Sequence, residues 1–138
     1  MKEKVLEAFA ELGFELNPVS DFALGFDYED IHMLYLPQAE DESFLNISIP
    51  GIYDLEEENP MVFIDLMNRI NTNLKYVKAY GGGESLWLFY ERELFDDEDL
   101  PKVISRMILR LECALDFSRN ELAEIKAGED GTDETDSE

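Results

Sequence analysis

Between Lys75 and Glu91 the chain carries two strand-like runs around three consecutive glycines, Gly81-Gly82-Gly83. Two such runs joined by a short glycine-rich loop read as an antiparallel hairpin. The second run, Ser85-Leu86-Trp87-Leu88-Phe89-Tyr90-Glu91, is apolar on both faces. Side chains alternate along a strand, so Leu86, Leu88 and Tyr90 point one way and Trp87, Phe89 and Glu91 the other. One face must pack on helices, and the other would expose Trp87 and Phe89 unless something covers it. On the first run Tyr76, Lys78 and Tyr80 share a face, and Val77 and Ala79 take the opposite one. Large exposed apolar patches mark interaction sites. This makes Tyr76, Tyr80, Trp87 and Phe89 candidate partner-binding residues.

The run ahead of the hairpin is a helix by its own signals. Asn59 is placed to cap it and Pro60 suits the first helical position. The helix is expected to end near Thr72. Met61-Val62-Phe63-Ile64 places four consecutive apolar residues at about 100° each around its circumference. Such a run cannot face one sheet alone. Either it is buried deeply within its own chain, or Met61, Val62, Phe63 and Ile64, with Met67, form the seam of a homodimer.

Periodicity fills in the rest. Val5, Leu6, Phe9 and Leu12 give a first helix over about residues 2–12, with Gly13 suited to a left-handed cap. Phe22 to Tyr28, Ile31 to Leu36 and Phe44 to Ile49 alternate as three strands. Glu29-Asp30 turns between the first two, and Pro50-Gly51 breaks or bends the third. Asp54 to Glu58 is a solvated acidic linker. Acidic Asp96 to Asp99 suit the start of a last helix, with Pro101 in its first turn. Its apolar stripe is Leu100, Ile104, Met107, Ile108, Leu111, Ala114 and Leu115, with Leu122 and Ile125 as a continuation. The predicted fold is a two-layer α+β domain over residues 1–125, an antiparallel sheet with helices in the order α-β-β-β-α-β-β-α. Residues 126–138 are expected to be an acidic disordered tail.

Charge narrows the functions. The chain of 138 residues has 33 acidic and 11 basic residues and a net charge of -22. Residues 126–138 hold six acids and one lysine, so -17 of that charge resides in residues 1–125. Contact with nucleic acid or with anionic membrane is disfavoured, because both need Lys and Arg. Hydrophobic residues make up 45% of the chain, which argues against a disordered protein. No apolar run approaches a membrane span, and the amphipathic start is not a signal peptide. The single cysteine, Cys113, allows no intramolecular disulfide and reads as a small buried residue on the last helix. A cytoplasmic location is expected.

No catalytic motif is legible. His32 is the only histidine and reads as structural. Neither a zinc pattern nor a calcium loop is present, and Gly81-Gly82-Gly83 is not a phosphate loop. No catalytic residue, metal or cofactor is expected. Lys102, Arg106 and Arg110 line one stripe of the last helix. They read as an exposed row balancing acids such as Asp99 and Glu98, or alternatively as a dock for an acidic partner or for the acidic tail.

The order of elements and three strings resemble the superfamily of class I type III secretion chaperones and the related YbjN-like proteins. The strings are Leu6-Glu7-Ala8-Phe9-Ala10-Glu11-Leu12-Gly13-Phe14, then Asn68-Arg69-Ile70-Asn71-Thr72-Asn73-Leu74-Lys75, then Leu86-Trp87-Leu88-Phe89-Tyr90-Glu91 ahead of the long last helix. The resemblance spans roughly residues 1–125. It implies a small, acidic, dimeric, non-enzymatic protein that binds an extended segment of a partner across apolar surface, and it favours pairing around the second helix. The YbjN-like branch implies instead a regulatory protein acting in stress or signalling. An acidic mimic of nucleic acid is a third possibility consistent with the charge.

Overall fold

A computed structural model describes residues 2–37, 41 and 43–136. Helix α1 (Lys2–Glu11) precedes strands β1 (Asn17–Pro18), β2 (Leu24–Tyr28), β3 (Ile31–Tyr35) and β4 (Phe44–Asp54). Helix α2 (Pro60–Asn73), strands β5 (Val77–Gly82) and β6 (Ser85–Glu93), and helix α3 (Leu100–Asp136) follow. The architecture is the expected α+β type, with one addition. The two-residue strand β1 was not foreseen, because Asn17-Pro18 is too short to carry a period.

The first helix ends as its sequence dictates. Gly13 adopts φ +88°. Its N–H donates to Ala10 O and the Phe14 N–H donates to Phe9 O, both at 3.0 Å. These are the two bonds of a Schellman cap, and Phe14 meets Phe9 edge-on at 6.3 Å between centroids. The cap turns the chain so that Phe9, Phe14 and Phe26 cluster at one end of the core.

The sheet has six strands in the order β1-β2-β3-β4-β6-β5, each antiparallel to its neighbours. Strands β4 and β5 both run antiparallel to β6, so they are parallel to each other, and α2 carries the chain from one to the other past β6. Strand β4 does not stop at Pro50-Gly51. It continues to Asp54 through an irregularity that sets Ile49 to Tyr53 against Leu88 to Leu86. The two extra residues form a bulge, with Gly51 at φ +58°. Both hairpin loops have two residues, Glu29-Asp30 and Gly83-Glu84. Gly83 takes φ +74° without steric penalty, as a II′ turn requires.

The helices pack on one face of the sheet. Ile47, Ile49, Leu86, Leu88, Val77 and Ala79 meet Val62, Leu66 and Ile70 of α2 and Ile104, Met107, Ile108 and Leu111 of α3 in one buried core. The stripe expected for α3 is correct, and Ile125 extends it. Cys113 corrects the expectation made for it: it is exposed, because it lies off that stripe. Strand β2 begins at Leu24 rather than Phe22, which is 79% exposed in the bend that precedes it.

Helix α3 runs on to Asp136, past the residue 125 boundary expected for the folded domain. Lys126 belongs to it and donates to Glu56 Oε1 at 2.7 Å, above the Tyr53 ring. Residues 137 and 138 of the expected tail lie outside the described residues.

Candidate protein-interaction face

The face of the sheet turned away from the helices carries a stacked aromatic row. Cross-strand pairing sets Trp87 opposite Tyr80, and Phe89 opposite Lys78 on one side and Ser48 on the other. Phe89 stacks on Tyr80 with centroids 4.1 Å apart and rings within 9° of parallel. Trp87 stacks on Phe89 at 5.8 Å and 15°. Tyr80 is 48% exposed, while Trp87 and Phe89 are half-buried. Burial, and then the charge of Glu91, push the Tyr80 phenol above its ordinary pKa, so it stays a neutral donor.

Beside the row the same face holds buried polar atoms. Asn46 donates through Nδ2 to Glu91 Oε2 at 3.1 Å. Its Oδ1 and the Oγ of Ser48 are buried with no hydrogen-bond partner among the described residues. Native interiors seldom leave such groups unpaired, since each unmet bond costs about 1–3 kcal/mol. Farther along, exposed His32 donates through Nδ1–H to Asp27 Oδ1 at 3.0 Å. Gly25 sits tightly beside His32, where an added Cβ would come within 2.9 Å of the imidazole Cε1.

Tyr76 does not join the row. The sequence reading placed it with Tyr80, but it precedes β5 and adopts φ +71°. That turn breaks the two-residue period and carries its ring to the helix side, where it stacks on Tyr90 at 5.9 Å. Three of the four candidate partner-binding residues are therefore together.

The five candidate seam residues of α2 divide by burial. Val62 is in the core, and Phe63 and Met67 pack partly against it. Phe63 also meets Tyr53 at 6.4 Å. Met61 and Ile64 remain 62% and 41% exposed. They line a groove of about 530 Å³ between α2 and α3, with Asp65, Arg69, Glu124 and Ile125. Arg69 spans that groove, 3.3 Å from Asp65 and 3.7 Å from both Glu121 and Glu124.

Each sheet edge is protected at one point. Proline in β1 removes a donor from one edge. At the other, the Asn71 side chain of α2 bonds both backbone groups of Ala79.

Among the described residues, no helix is long and apolar enough to cross a membrane, and no group of three His, Cys, Asp or Glu is arranged to hold a metal.

No family model matches this chain, and no curated protein matches it in sequence. A solved structure does match it. The crystal structure of YbjN from E. coli, described there as a candidate transcription regulator, superposes with a TM-score of 0.66 at 11% identity. The match covers 94% of this chain and 93% of that one. The fold is YbjN-like. At that identity the likeness concerns the fold, and the aromatic row must be judged on its own geometry.

Proposed function

We propose that this protein is a non-enzymatic module, needing no metal or cofactor, that holds a segment of another protein on the helix-free face of its YbjN-like sheet. The observation that carries the reading is the Tyr80–Phe89–Trp87 stack. Aromatic side chains offer large contact area at low entropic cost and are favoured where proteins meet.

The proline in β1 and the Asn71 contact at Ala79 hinder strand addition at those points and favour a segment laid across the face. The net charge of -22 keeps the complex soluble and speeds encounter with a basic client. This agrees with the resemblance to class I type III secretion chaperones, which bind extended segments as dimers. In the same reading Met61 and Ile64 supply a homodimer seam along the α2–α3 groove, and the protein works in the cytoplasm.

One observation favours a second reading. The structural neighbour YbjN is described as a candidate transcription regulator. A regulator with this charge would act by contacting a protein rather than DNA, and the same face would serve.

Cross-linked partners captured by the wild type and by a Trp87→Ala, Phe89→Ala variant test the proposal. Loss of the principal partner from a folded variant is expected. Equal recovery would remove this face as the binding site. A secreted client would favour the chaperone reading, and a component of the transcription machinery the regulatory one.

A further inference from the structure

A second site lies on the helix side of the sheet and shares no residue with the aromatic row. Tyr76, Tyr90, Arg92, Glu98, Arg106 and Arg110 line a cavity of about 270 Å³. Arg92 is committed to Glu98 at 2.6 Å. Arg106 and Arg110 pair with no carboxylate among the described residues, in a chain with three acids for every base. The sequence reading set their charges against acids such as Glu98, but Glu98 is taken by Arg92 and by the Phe95 N–H.

The two guanidiniums are prepared for an oxyanion. They are four residues apart on α3, hence neighbours on one helix face. The Arg110 guanidinium lies 4.4 Å from the Tyr76 ring centroid, and that ring is stacked in turn on Tyr90. Stacking occupies the flat face of a guanidinium and leaves its N–H edge free to donate. Tyr76 reaches this position through a left-handed backbone, a conformation that is costly for a non-glycine residue.

Beyond the Tyr76–Arg110 pair, a second cavity of about 330 Å³ is lined by Leu74, Val77, Leu109, Cys113 and Ala114. The pair is a wall common to both cavities. One compartment offers guanidiniums and the other apolar surface, including half-exposed Leu109. Charges more than about 10 Å away are largely screened at 0.1 M ionic strength, so contact with the arginines outweighs the overall negative charge.

We infer that these adjoining cavities bind a small amphipathic anion across the Tyr76–Arg110 wall, with a carboxylate or phosphate head on Arg106 and Arg110 and an apolar stem beside Tyr76, Leu74 and Leu109.

Calorimetric titration of the full chain with octanoate and with octyl phosphate tests the inference, with acetate, inorganic phosphate and octanol as the separate parts. At least one octyl anion should bind more tightly than its head or octanol alone, and the tighter of the two identifies the head group. Arg106→Ala touches no ring and should weaken binding about tenfold or more, as loss of a charge-assisted hydrogen bond implies. Adding Arg110→Ala should abolish it, while Arg119→Ala, outside both cavities, should leave it unchanged. Failure of both octyl anions to bind, equal binding by the Arg106→Ala variant, or octanol binding as tightly as octanoate would each overturn the assignment.

Discussion

The carboxamide of Asn71 occupies the free edge of the sheet at Ala79. Its Nδ2 donates to the Ala79 carbonyl at 2.8 Å, and its Oδ1 accepts from the Ala79 N–H at 2.6 Å. One side chain on α2 thereby imitates the next strand. An open edge strand invites pairing with another chain, and natural sheets protect such edges. Asn71→Ala should remove both bonds and cost about 2 kcal/mol, at roughly 1 kcal/mol for each. It should also leave Ala79 free to pair between copies. Chemical denaturation reads the first effect, and light scattering across a concentration series reads the second. A variant as stable as wild type would show that the two bonds contribute nothing net.

Among the described residues Glu29, like Tyr76, is a non-glycine residue with a left-handed backbone. It takes φ 54° in the two-residue loop between β2 and β3, at the position where Gly83 takes φ +74° in the other hairpin. Glycine carries no Cβ penalty there, whereas glutamate does. The pKa of Glu112 on α3 is raised by burial first and then by the charge of Glu29. Glu29→Gly should relieve both the strain and the repulsion and stabilise the fold by about 1 kcal/mol. A lowered denaturation midpoint would contradict this.

How far the sequence carried depended on period and punctuation. The α1 stripe, its Gly13 cap and the glycine-turned hairpin were legible because each rests on residues a few positions apart. The continuation of β4 through Pro50-Gly51 was not, since a bulge and a break share those residues, and only the pairing of Tyr53 with Leu86 separates them. Tyr76 was put on the wrong face because alternation assumes an extended backbone, and φ +71° reverses it. The i, i+4 spacing of Arg106 and Arg110 was visible. The wall that makes a cavity of them comes from Tyr76, Tyr90 and Arg92, which only the fold brings near.

Two carboxyls should act oppositely on stability as pH changes. The hydrogen bond from Arg92, then that from the Phe95 N–H, holds Glu98 below its ordinary value of 4.5. A lowered folded-state pKa stabilises the fold above about pH 4.5, and this contribution is lost as pH falls through the folded value. Glu112 is raised above 4.5, by burial first and then by Glu29 and Asp116. Its contribution is present below about pH 4.5 and is lost as pH rises through the folded value. Glu98→Gln should therefore lower the melting temperature at pH 7 and lessen its fall on acidification. Glu112→Gln should raise the melting temperature at pH 7. Thermal melts from pH 3 to 8 check both, and a Glu112→Gln variant less stable than wild type at pH 7 would refute the second.

Leu88 and Phe89 are adjacent on β6 but face opposite ways, and they separate folding from binding. Leu88 is fully buried between Ile49 and Ala79. Truncating it to alanine should cost about 2–5 kcal/mol, the range for a large apolar side chain removed from a core. Phe89 is half-buried and held by its stacks with Tyr80 and Trp87. Each such ring pair contributes about 0.5–1.5 kcal/mol beyond area burial, so Phe89→Ala should cost less than Leu88→Ala. If the open face holds the partner, the order reverses for binding: Phe89→Ala should lose the partner while most of the protein remains folded, and Leu88→Ala should retain it at temperatures well below its own melting point. Denaturation midpoints and partner recovery measured on the same two variants decide this. Recovery that simply follows stability would mean that the aromatic row serves the fold and not the partner.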